Sequence, residues 1–215
     1  MKIAVVTANI GGIDRQSRHV KQSLPFDSYK FTRRNFPLRK CAMSARMQAR
    51  LVKTHAWQLA PDYDIYVWVD ASFILAHSLS LEWLLDQLNK ADMALFKHPD
   101  RYSIHSEADY TKDRIFHKMK YMYYRYKYEL VDDLIRAIEA DENYVDDRLL
   151  VSGFLIYRNT DRVRGMMKDW WYHVSRYSIQ DQLSLPYVLS RNKCVVNIIP
   201  GHYLDCPYFK AVRYT

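Results

Sequence analysis

Asp70 is the first residue of this chain whose position suggests chemistry. It directly follows five hydrophobic and aromatic residues, Ile65–Val69, and precedes Ala71 and Ser72. A run of this kind predicts a buried strand, so the carboxylate emerges where the strand ends. There it can bind a divalent cation or hydrogen-bond a ribose, but an aspartate at a strand end can equally cap the next turn. The spacing alone leaves these interpretations open.

Other segments predict the elements that must position Asp70. Helical patterns cover residues 40–60, 106–140, 161–176 and 181–190, and another helix starts at an N-cap at Ser80. Short runs rich in apolar or β-branched residues predict further strands. These runs are Ile3–Val6, Ser28–Thr32, Met93–Phe96, Leu149–Tyr157 and Val195–Ile199.

Strands that alternate with helices predict an α/β fold with a mostly parallel central sheet flanked by helices. We find no internal repeat, low-complexity tract or linker, so one domain over residues 1–215 is expected. In such sheets ligands bind outside the carboxyl ends of the strands. The informative residues should therefore lie at Thr7–Asn9, Asp70–Ser72, Lys97–Arg101 and His202.

The composition restricts the classes of partner that this protein could bind, but it does not select one of them. Hydrophobic residues at 49% and charged residues at 26% exclude a mainly disordered chain. The formal net charge of +8 favours polyanions, whether nucleic acid, an anionic membrane surface or the phosphates of a small substrate. The eighteen tyrosines suit sugar or base stacking, but they suit an ordinary core as well.

The three cysteines predict neither a disulfide framework nor a zinc site. Cys41, Cys194 and Cys206 are odd in number and share no C-x-x-C spacing. We therefore expect a reducing compartment and a cytoplasmic protein. The chain has no run of eighteen apolar residues, so no membrane span is expected.

The segment Val67–Ser72 resembles the hydrophobic-Asp-x-Asp segment of nucleotide-sugar glycosyltransferases with the GT-A fold. Two acidic groups in those enzymes hold Mn²⁺ or Mg²⁺ against a diphosphate. Here Ser72 stands in place of the second aspartate, which removes one charge. Further segments resemble these enzymes: the pocket strand at Leu150–Tyr157, the Asp-Gln segment at Gln180–Leu183 of the retaining family, and Gly201–Tyr203 followed by Lys210.

A narrower resemblance spans nearly the whole chain. Tyr66–Ser72, His98–Arg101 with Glu107 downstream, and Asp181–Tyr187 resemble plant glycosyltransferases of the TOD1/MUCI70 type. They are also similar to the N-terminal glycosyltransferase domain of a multidomain chlorella-virus protein. The resemblance implies transfer of a sugar from a nucleotide-diphosphate donor, expected to be a UDP-sugar, to a glycan or glycoprotein acceptor. A viral protein would act in the host cytoplasm.

The resemblance also implies roles for individual residues. Asp70, Ser72 and His202 are the expected protein ligands of Mn²⁺ or Mg²⁺, with diphosphate oxygens and water completing the shell. The positive charge is then explained by an anionic donor, and no nucleic-acid partner is expected. The implied nucleotide-sugar site comprises Thr7, Ala8, Asn9, Arg50, Lys53, Asp70, Ala71, Ser72, Arg101, Ser152, Gly153 and Lys210.

Catalysis would require a group that stabilises an oxocarbenium-like centre. Asp181 and Gln182 are the first candidates, and Asp147, with Asp146 beside it, competes for that role or for sugar-hydroxyl binding. Asp92 is a further possibility. A carboxylate would act as general base in an inverting reaction, whereas in a retaining one the departing phosphate takes the proton. The similarity around Asp181 and Gln182 favours retention.

Two other functions and several simpler roles stay open. Arg33, Arg34, Arg39, Lys40 and the tyrosine cluster at 121–128 would suit a nucleic-acid-binding module, although no RNA-binding signature is present. Ser72 would suit a non-catalytic domain that binds glycans. Without the resemblance, His202 is interpreted as a loop histidine, and His98 as a residue that hydrogen-bonds the local backbone. Glu107 would then be a carboxylate at the start of a helix, where the helix dipole favours a negative charge.

Overall fold

The computed structural model of the chain describes residues 1–14, 18–36 and 42–212. Arg39, Lys40 and Cys41, named above, lie outside the described residues. The strands are β1 (Ile3–Asn9), β2 (Asp27–Thr32), β3 (Ile65–Val69), β4 (Phe73–Leu75), β5 (Met93–Phe96), β6 (Phe154–Arg158), β7 (Val196–Ile199) and β8 (Phe209–Ala211). The helices are α1 (Ala45–Thr54), α2 (Ala56–Leu59), α3 (Ser80–Leu88), α4 (Ile104–Phe116), α5 (Lys120–Tyr126), α6 (Val131–Glu139), α7 (Asp161–Arg176) and α8 (Leu185–Arg191), with a 3₁₀ turn at Asp181–Leu183.

Six strands of the described chain form the central sheet, in the order β2-β1-β3-β6-β5-β7. β1 pairs in parallel with β2 and β3, and β5 pairs in parallel with β7. Every residue of β1, β3 and β5 is buried, as expected for strands covered on both faces. The predicted α/β class with a mostly parallel sheet is therefore confirmed.

β6 runs antiparallel to both of its neighbours, β3 and β5. The sequence predicted one strand over Leu149–Tyr157, but β6 begins only at Phe154, so Ser152 and Gly153 precede the strand. Because β6 is reversed, its amino end lies at the same edge as the carboxyl ends of its neighbours. The Asp70 amide donates to the Gly153 carbonyl at 2.7 Å across this edge.

The helical region predicted at 106–140 is divided into α4, α5 and α6. Lys118 adopts a positive φ of 52°, which a non-glycine residue takes up only where the helix has ended. α4 begins earlier than predicted, because Ser103 and Ser106 form a capping box at its first turn. The predicted helix at 40–60 likewise begins only at Ala45, where the Ser44 hydroxyl accepts from the Met47 amide.

The sheet buries a hydrophobic cluster on each face. On the face away from α7, Phe154 stacks on Phe209 of β8 with ring centroids 4.0 Å apart. β8 pairs with β4, and beyond it the Val212 amide donates to the Ser72 carbonyl at 2.6 Å. This small second sheet, which was not predicted, fastens the segment that follows Asp70.

No helix in the described parts of the chain is long and apolar enough to cross a membrane.

Replacing Phe154 with alanine should lower the free energy of unfolding by about 3–5 kcal/mol, because a buried ring is removed from between the sheet and β8. Urea denaturation of both proteins measures this difference. Phe116→Ala is the matched control, since that ring is 81% exposed and its loss should leave the midpoint nearly unchanged. Equal midpoints for the two variants would show that the aromatic stack does not stabilise the fold.

Candidate active site

A buried carboxylate, that of Asp181, lies at the centre of the candidate site. Its Oδ2 is 2.6 Å from Lys53 Nζ and 3.0 Å from Arg50 Nε, and its Oδ1 accepts from Ser152 Oγ at 2.9 Å. Arg50 and Lys53 are three residues apart on α1 and therefore face the same way. The Asp181 carbonyl also accepts from Trp170 Nε1 at 3.0 Å. One residue thus joins α1, α7 and the segment before β6.

The charges of this cluster stabilise one another. Burial alone would raise the pKa of Asp181, but the positive charges of Arg50 and Lys53 outweigh it and hold that pKa below its ordinary value of 3.8. Burial likewise opposes the charge of Arg50, yet Asp181 and Asp70 raise the pKa of its guanidinium. Asp181 is therefore ionised, and both of its oxygens are occupied.

Lys53 connects Asp181 to Asp70. Its ammonium group is fully buried, lies 3.5 Å from Asp70 Oδ1, and faces the rings of Trp68 and Trp170 at 5.4 and 5.7 Å. Two carboxylates and two indole faces compensate for the desolvation of the ammonium. This arrangement makes Lys53 a fixed positive charge directly behind Asp70.

Asp70 is held so that one carboxylate oxygen stays available. Its Oδ1 accepts from Trp68 Nε1 at 2.7 Å, and its backbone carbonyl accepts from the Phe73 amide at 2.9 Å. Oδ2 faces Gly153, where an added Cβ would lie 3.6 Å from that oxygen. The Asp70 side chain is 29% exposed, so Oδ2 can reach a ligand.

Two clefts meet at Asp70, and we call them cleft 1 and cleft 2. Cleft 1 has a volume of about 410 Å³ and cleft 2 about 270 Å³. Arg50, Asp70, Tyr121 and Arg125 line both. Cleft 1 is completed by Ala8, Asn9, Ile10, Gly11, Ile13, Asp14, Ala45, Arg46, Ala49, Trp68, Ala71 and Ser72. Cleft 2 is completed by Phe73, His98, Arg101, Glu107, Tyr110, Met122, Tyr126, Val151, Ser152, Gly153, Gln180, Asp181, Gln182 and Tyr203.

A chain of hydrogen bonds forms one wall of cleft 2. Glu107 accepts from Gln180 Nε2 at 2.5 Å and from Arg101 Nε, and the Arg101 guanidinium lies 4.1 Å from the centre of the Tyr110 ring. Burial raises the pKa of Glu107 although Arg101 opposes the shift. Burial, with the charge of Arg101, lowers the pKa of His98 to about 4, so this histidine is neutral at physiological pH. The wall offers donors and acceptors suited to sugar hydroxyls.

The side chains around Asp70 suit a cation whose coordination shell is completed by a bound ligand, and not one coordinated by protein groups alone. No group of three His, Cys, Asp or Glu side chains within the described ranges is placed to bind a metal ion. Sites for Mg²⁺ commonly use one or two carboxylates together with substrate phosphates and water. Asp70 Oδ2 meets that requirement. His202 Nδ1 accepts from the Leu204 amide at 3.0 Å, so Nε2 is the ring nitrogen that could bind a cation.

Most of the predicted site residues are brought together. Ala8, Asn9, Arg50, Asp70, Ala71 and Ser72 line cleft 1, while Arg101, Ser152, Gly153, Asp181 and Gln182 line cleft 2. Asn9 also shapes the loop after β1, since its Nδ2 donates to the Asp14 carbonyl at 2.7 Å. Thr7 lies within β1, where its buried hydroxyl has no hydrogen-bond partner among the described residues.

Other predicted residues lie apart from the clefts. Asp147 is exposed and pairs with Arg148 at 3.0 Å. Asp146 accepts from the Ile104 and His105 amides and so caps α4. Asp92 accepts from the Val195 amide at the opposite edge of the sheet. Lys210 is exposed on β8, and neither it nor His202 lines either cleft.

Sequence reasoning missed the contribution of α5. Tyr121, Met122, Arg125 and Tyr126 line the clefts, although the cluster at 121–128 was considered above only for a nucleic-acid-binding surface. The available signal was the i, i+4 spacing of Tyr121 with Arg125 and of Met122 with Tyr126, which places each pair on one face. Tyr110 was also missed, and no sequence pattern marked it, whereas Gln180 was named only as the first residue of the segment Gln180–Leu183.

The family described as "TOD1/MUCI70, glycosyltransferase-like domain" matches residues 37–214. The chain belongs to this family. A solved glycosyltransferase involved in glycosylation of the major capsid of the chlorella virus PBCV-1 aligns with 100% of this chain and 96% of its own, at 9% identity and a TM-score of 0.52. The apo structure of the bifunctional glycosyltransferase WbbM aligns with 93% of this chain and 39% of its own, at 13% identity and a TM-score of 0.47.

These comparisons confirm the predicted resemblance to the TOD1/MUCI70 family and to a chlorella-virus glycosyltransferase. The match to the viral enzyme concerns the fold, which is GT-A-like as predicted. No curated protein matches the chain. As a TOD1/MUCI70 glycosyltransferase-like domain, the chain is a glycosyltransferase by family, and its clefts are the region in which to seek the donor and acceptor.

Replacing Asp181 with asparagine should lower the free energy of unfolding at pH 7 by about 3–5 kcal/mol, because Arg50 and Lys53 lose their buried counter-charge. The folded-state pKa of Asp181 lies below its ordinary value of 3.8. The stabilisation is therefore fully present above about pH 4 and is lost as the pH falls through the folded-state value. Urea denaturation at pH 7 and at pH 3 measures both effects.

Asp147→Asn is the matched control for Asp181→Asn, since the Asp147 side chain is 58% exposed. It should change the free energy of unfolding by less than about 0.5 kcal/mol at either pH. An Asp181→Asn protein as stable as the wild type at pH 7 would contradict the central role of this carboxylate.

Proposed function

We propose that this TOD1/MUCI70-family domain transfers a sugar from a UDP-sugar to a hydroxyl of a glycan or glycoprotein. The observation that carries the proposal is the meeting of two clefts at Asp70, on the edge of the sheet where parallel strands present ligand sites. A nucleotide in cleft 1 and a sugar in cleft 2 would place the diphosphate at Asp70 and Arg50. Family membership favours this function over a nucleic-acid-binding module.

Charge supports an anionic donor. Arg46, Arg50 and Arg125 line cleft 1, and Lys53 lies directly behind Asp70. Fixed positive charges in a partly closed cleft concentrate an anionic ligand and stabilise the negative charge that develops on a departing diphosphate. Ala8, Asn9 and Ala71 provide small side chains and an amide beside this charge, which suits a ribose or a base.

Asp70 is the residue proposed to hold Mn²⁺ or Mg²⁺, with Ser72 and His202 as further ligands. His202 lines neither cleft, but Tyr203 beside it lines cleft 2. When bound, the cation would act as a Lewis acid on the diphosphate. Ser72 contributes a neutral oxygen in place of a second carboxylate. The number of charged protein ligands is therefore small, and the phosphates of the donor would supply the rest of the shell.

In the proposed transfer, the bond between the anomeric carbon and the diphosphate oxygen breaks, and its electron pair leaves with UDP. The acceptor oxygen forms the new bond to that carbon, and in a retaining reaction its proton passes to the departing diphosphate. Gln182 Nε2 donates to the Leu150 carbonyl at 3.2 Å, which leaves the amide oxygen to face the positive centre. Both Asp181 oxygens are engaged, so Asp181 would position Arg50 and Lys53 without attacking the sugar.

A cytoplasmic location is part of the proposal. Cys194 and Cys206 are free thiols in the described chain, and burial raises the pKa of Cys194 to about 11. Free thiols of low reactivity are usual in a reducing compartment.

Calorimetric titration of UDP with Mn²⁺, Mg²⁺ or EDTA tests the proposed function. We expect UDP to bind with a metal ion present and Asp70→Asn to weaken that binding at least about tenfold, since a charged ligand of the cation is lost. Asp86→Asn is the matched control, because Asp86 is exposed on α3 outside both clefts.

Two results would contradict the proposal. Absence of UDP binding with either metal would remove the nucleotide-sugar donor. Metal-dependent binding that Asp70→Asn leaves unchanged would remove Asp70 as the cation ligand. Turnover assays with several UDP-sugars then identify the sugar that is transferred, and the anomeric configuration of the product distinguishes retention from inversion.

A further inference from the structure

Arg125 lies on α5 at the junction of the two clefts and lines both of them. Its Nη1 donates to the Tyr121 hydroxyl, and its guanidinium lies 5.3 and 5.1 Å from the ring centres of Tyr121 and Tyr126. Its Nε is buried and has no hydrogen-bond partner among the described residues. A buried N–H group without an acceptor is costly, so its presence at a cleft requires an explanation.

Positively charged neighbours add to the free-energy cost of burying the Arg125 guanidinium. Burial lowers the pKa of Arg125, and the positive charges of Arg50 and Arg46 lower it further, although Asp181 opposes them. Asp181 already pairs with Arg50 and Lys53, and within the described ranges Arg125 forms no ion pair with any acidic side chain. Asp14 and Asp181 therefore lie near enough to Arg125 to interact with its charge, but neither forms an ion pair with it.

The placement of Arg125 is fixed by its surroundings. The Tyr126 ring next to it is buried at 6% exposure. Immediately after α5, Glu129 accepts from the Ile179 amide at 2.6 Å and the Leu130 amide donates to the Tyr177 carbonyl at 2.8 Å. These bonds fasten the end of α5 to the segment that leads into Asp181. Arg125 is therefore held over the same site as Arg50 by a separate part of the chain.

We propose that Arg125 binds the diphosphate of the nucleotide-sugar donor and neutralises the charge that develops on it as the sugar departs. The inference rests on the proposed function and deepens it. A diphosphate at the junction would accept from the Arg125 guanidinium, which lines both clefts, and would add negative charge between Arg125 and Arg46. The phosphate-binding charge then comes from two separate elements, α1 on one side of the donor and α5 on the other.

Titrations of wild type, Arg125→Gln and Arg125→Lys with UDP, inorganic pyrophosphate and uridine test the inference. Arg125→Gln should weaken UDP and pyrophosphate binding about ten- to a hundredfold, because a charge-assisted hydrogen bond to phosphate is lost. Uridine binding should stay within about twofold. Arg125→Lys should fall between wild type and Arg125→Gln, since it keeps the charge without the planar guanidinium.

The unfolding midpoint distinguishes an arginine that binds a ligand from one that is needed only for folding. Removing a buried charge that forms no ion pair within the described chain should leave the unfolding midpoint of ligand-free Arg125→Gln unchanged or raise it. If Arg125 were needed only for folding, that midpoint would fall. Lys127→Gln is the matched control on the same helix, because Lys127 contacts Tyr123, Tyr124 and Tyr128 and lines neither cleft. It should leave all three affinities unchanged.

The possible outcomes separate this inference from the proposed function. Wild type that binds UDP, with Arg125→Gln binding it equally well, overturns the inference and leaves the proposed function intact. Pyrophosphate binding that depends on Arg125, without UDP binding to any variant, supports the anion site and overturns the nucleotide donor. Failure of wild type to bind either UDP or pyrophosphate overturns both.

Discussion

The ionised carboxylate of Asp181 is the interaction on which the site depends. A negative charge is tolerated at this depth only because Lys53 and Arg50 lie within 2.6 and 3.0 Å of it. Asp181 in turn raises the pKa of the Arg50 guanidinium against the effect of burial. Ser152 and Trp170 complete its hydrogen bonds, so three segments that are distant in sequence converge on the two carboxylate oxygens and the carbonyl of Asp181. The cluster is at once a structural centre and the source of the positive field in the clefts.

The reversed direction of β6 is the second constraint. A parallel strand at this position would place its amino end, with Ser152 and Gly153, on the opposite edge of the sheet. The antiparallel pairing with β3 brings Gly153 beside Asp70 and Ser152 beside Asp181. Gly153 then leaves room for the free oxygen of Asp70. The strand thus lines the site with backbone and small side chains, which allow a ligand to approach closely.

The parts of this site that could be predicted from sequence are those encoded in local patterns. The buried runs of β1, β3 and β5 were evident from their composition, and Asp70 follows from where β3 ends. Asp181 was singled out through its resemblance to a family motif, but its ion pairs with α1 join residues more than a hundred positions apart and have no local signature. Asp147 illustrates the converse, because its neighbour Asp146 caps α4 while Asp147 itself is exposed. Arg125 lay in a segment predicted as one long helix, so the break at Lys118 and the separate helix α5 were not predicted.

The strand pair β4–β8 has a consequence for the order in which the molecule assembles. β4 begins shortly after Asp70 in the sequence, whereas its partner β8 lies more than a hundred residues later. Contacts between residues so far apart in sequence form late, because most of the intervening chain must be ordered first. The charged cluster around Asp181 joins residues almost as far apart, but it is buried, whereas Ala71 and Ser72 are only partly buried. The loop that carries Ala71 and Ser72 depends on this long-range pairing through the Val212–Ser72 hydrogen bond, and it is therefore expected to open before the buried cluster when the native protein fluctuates.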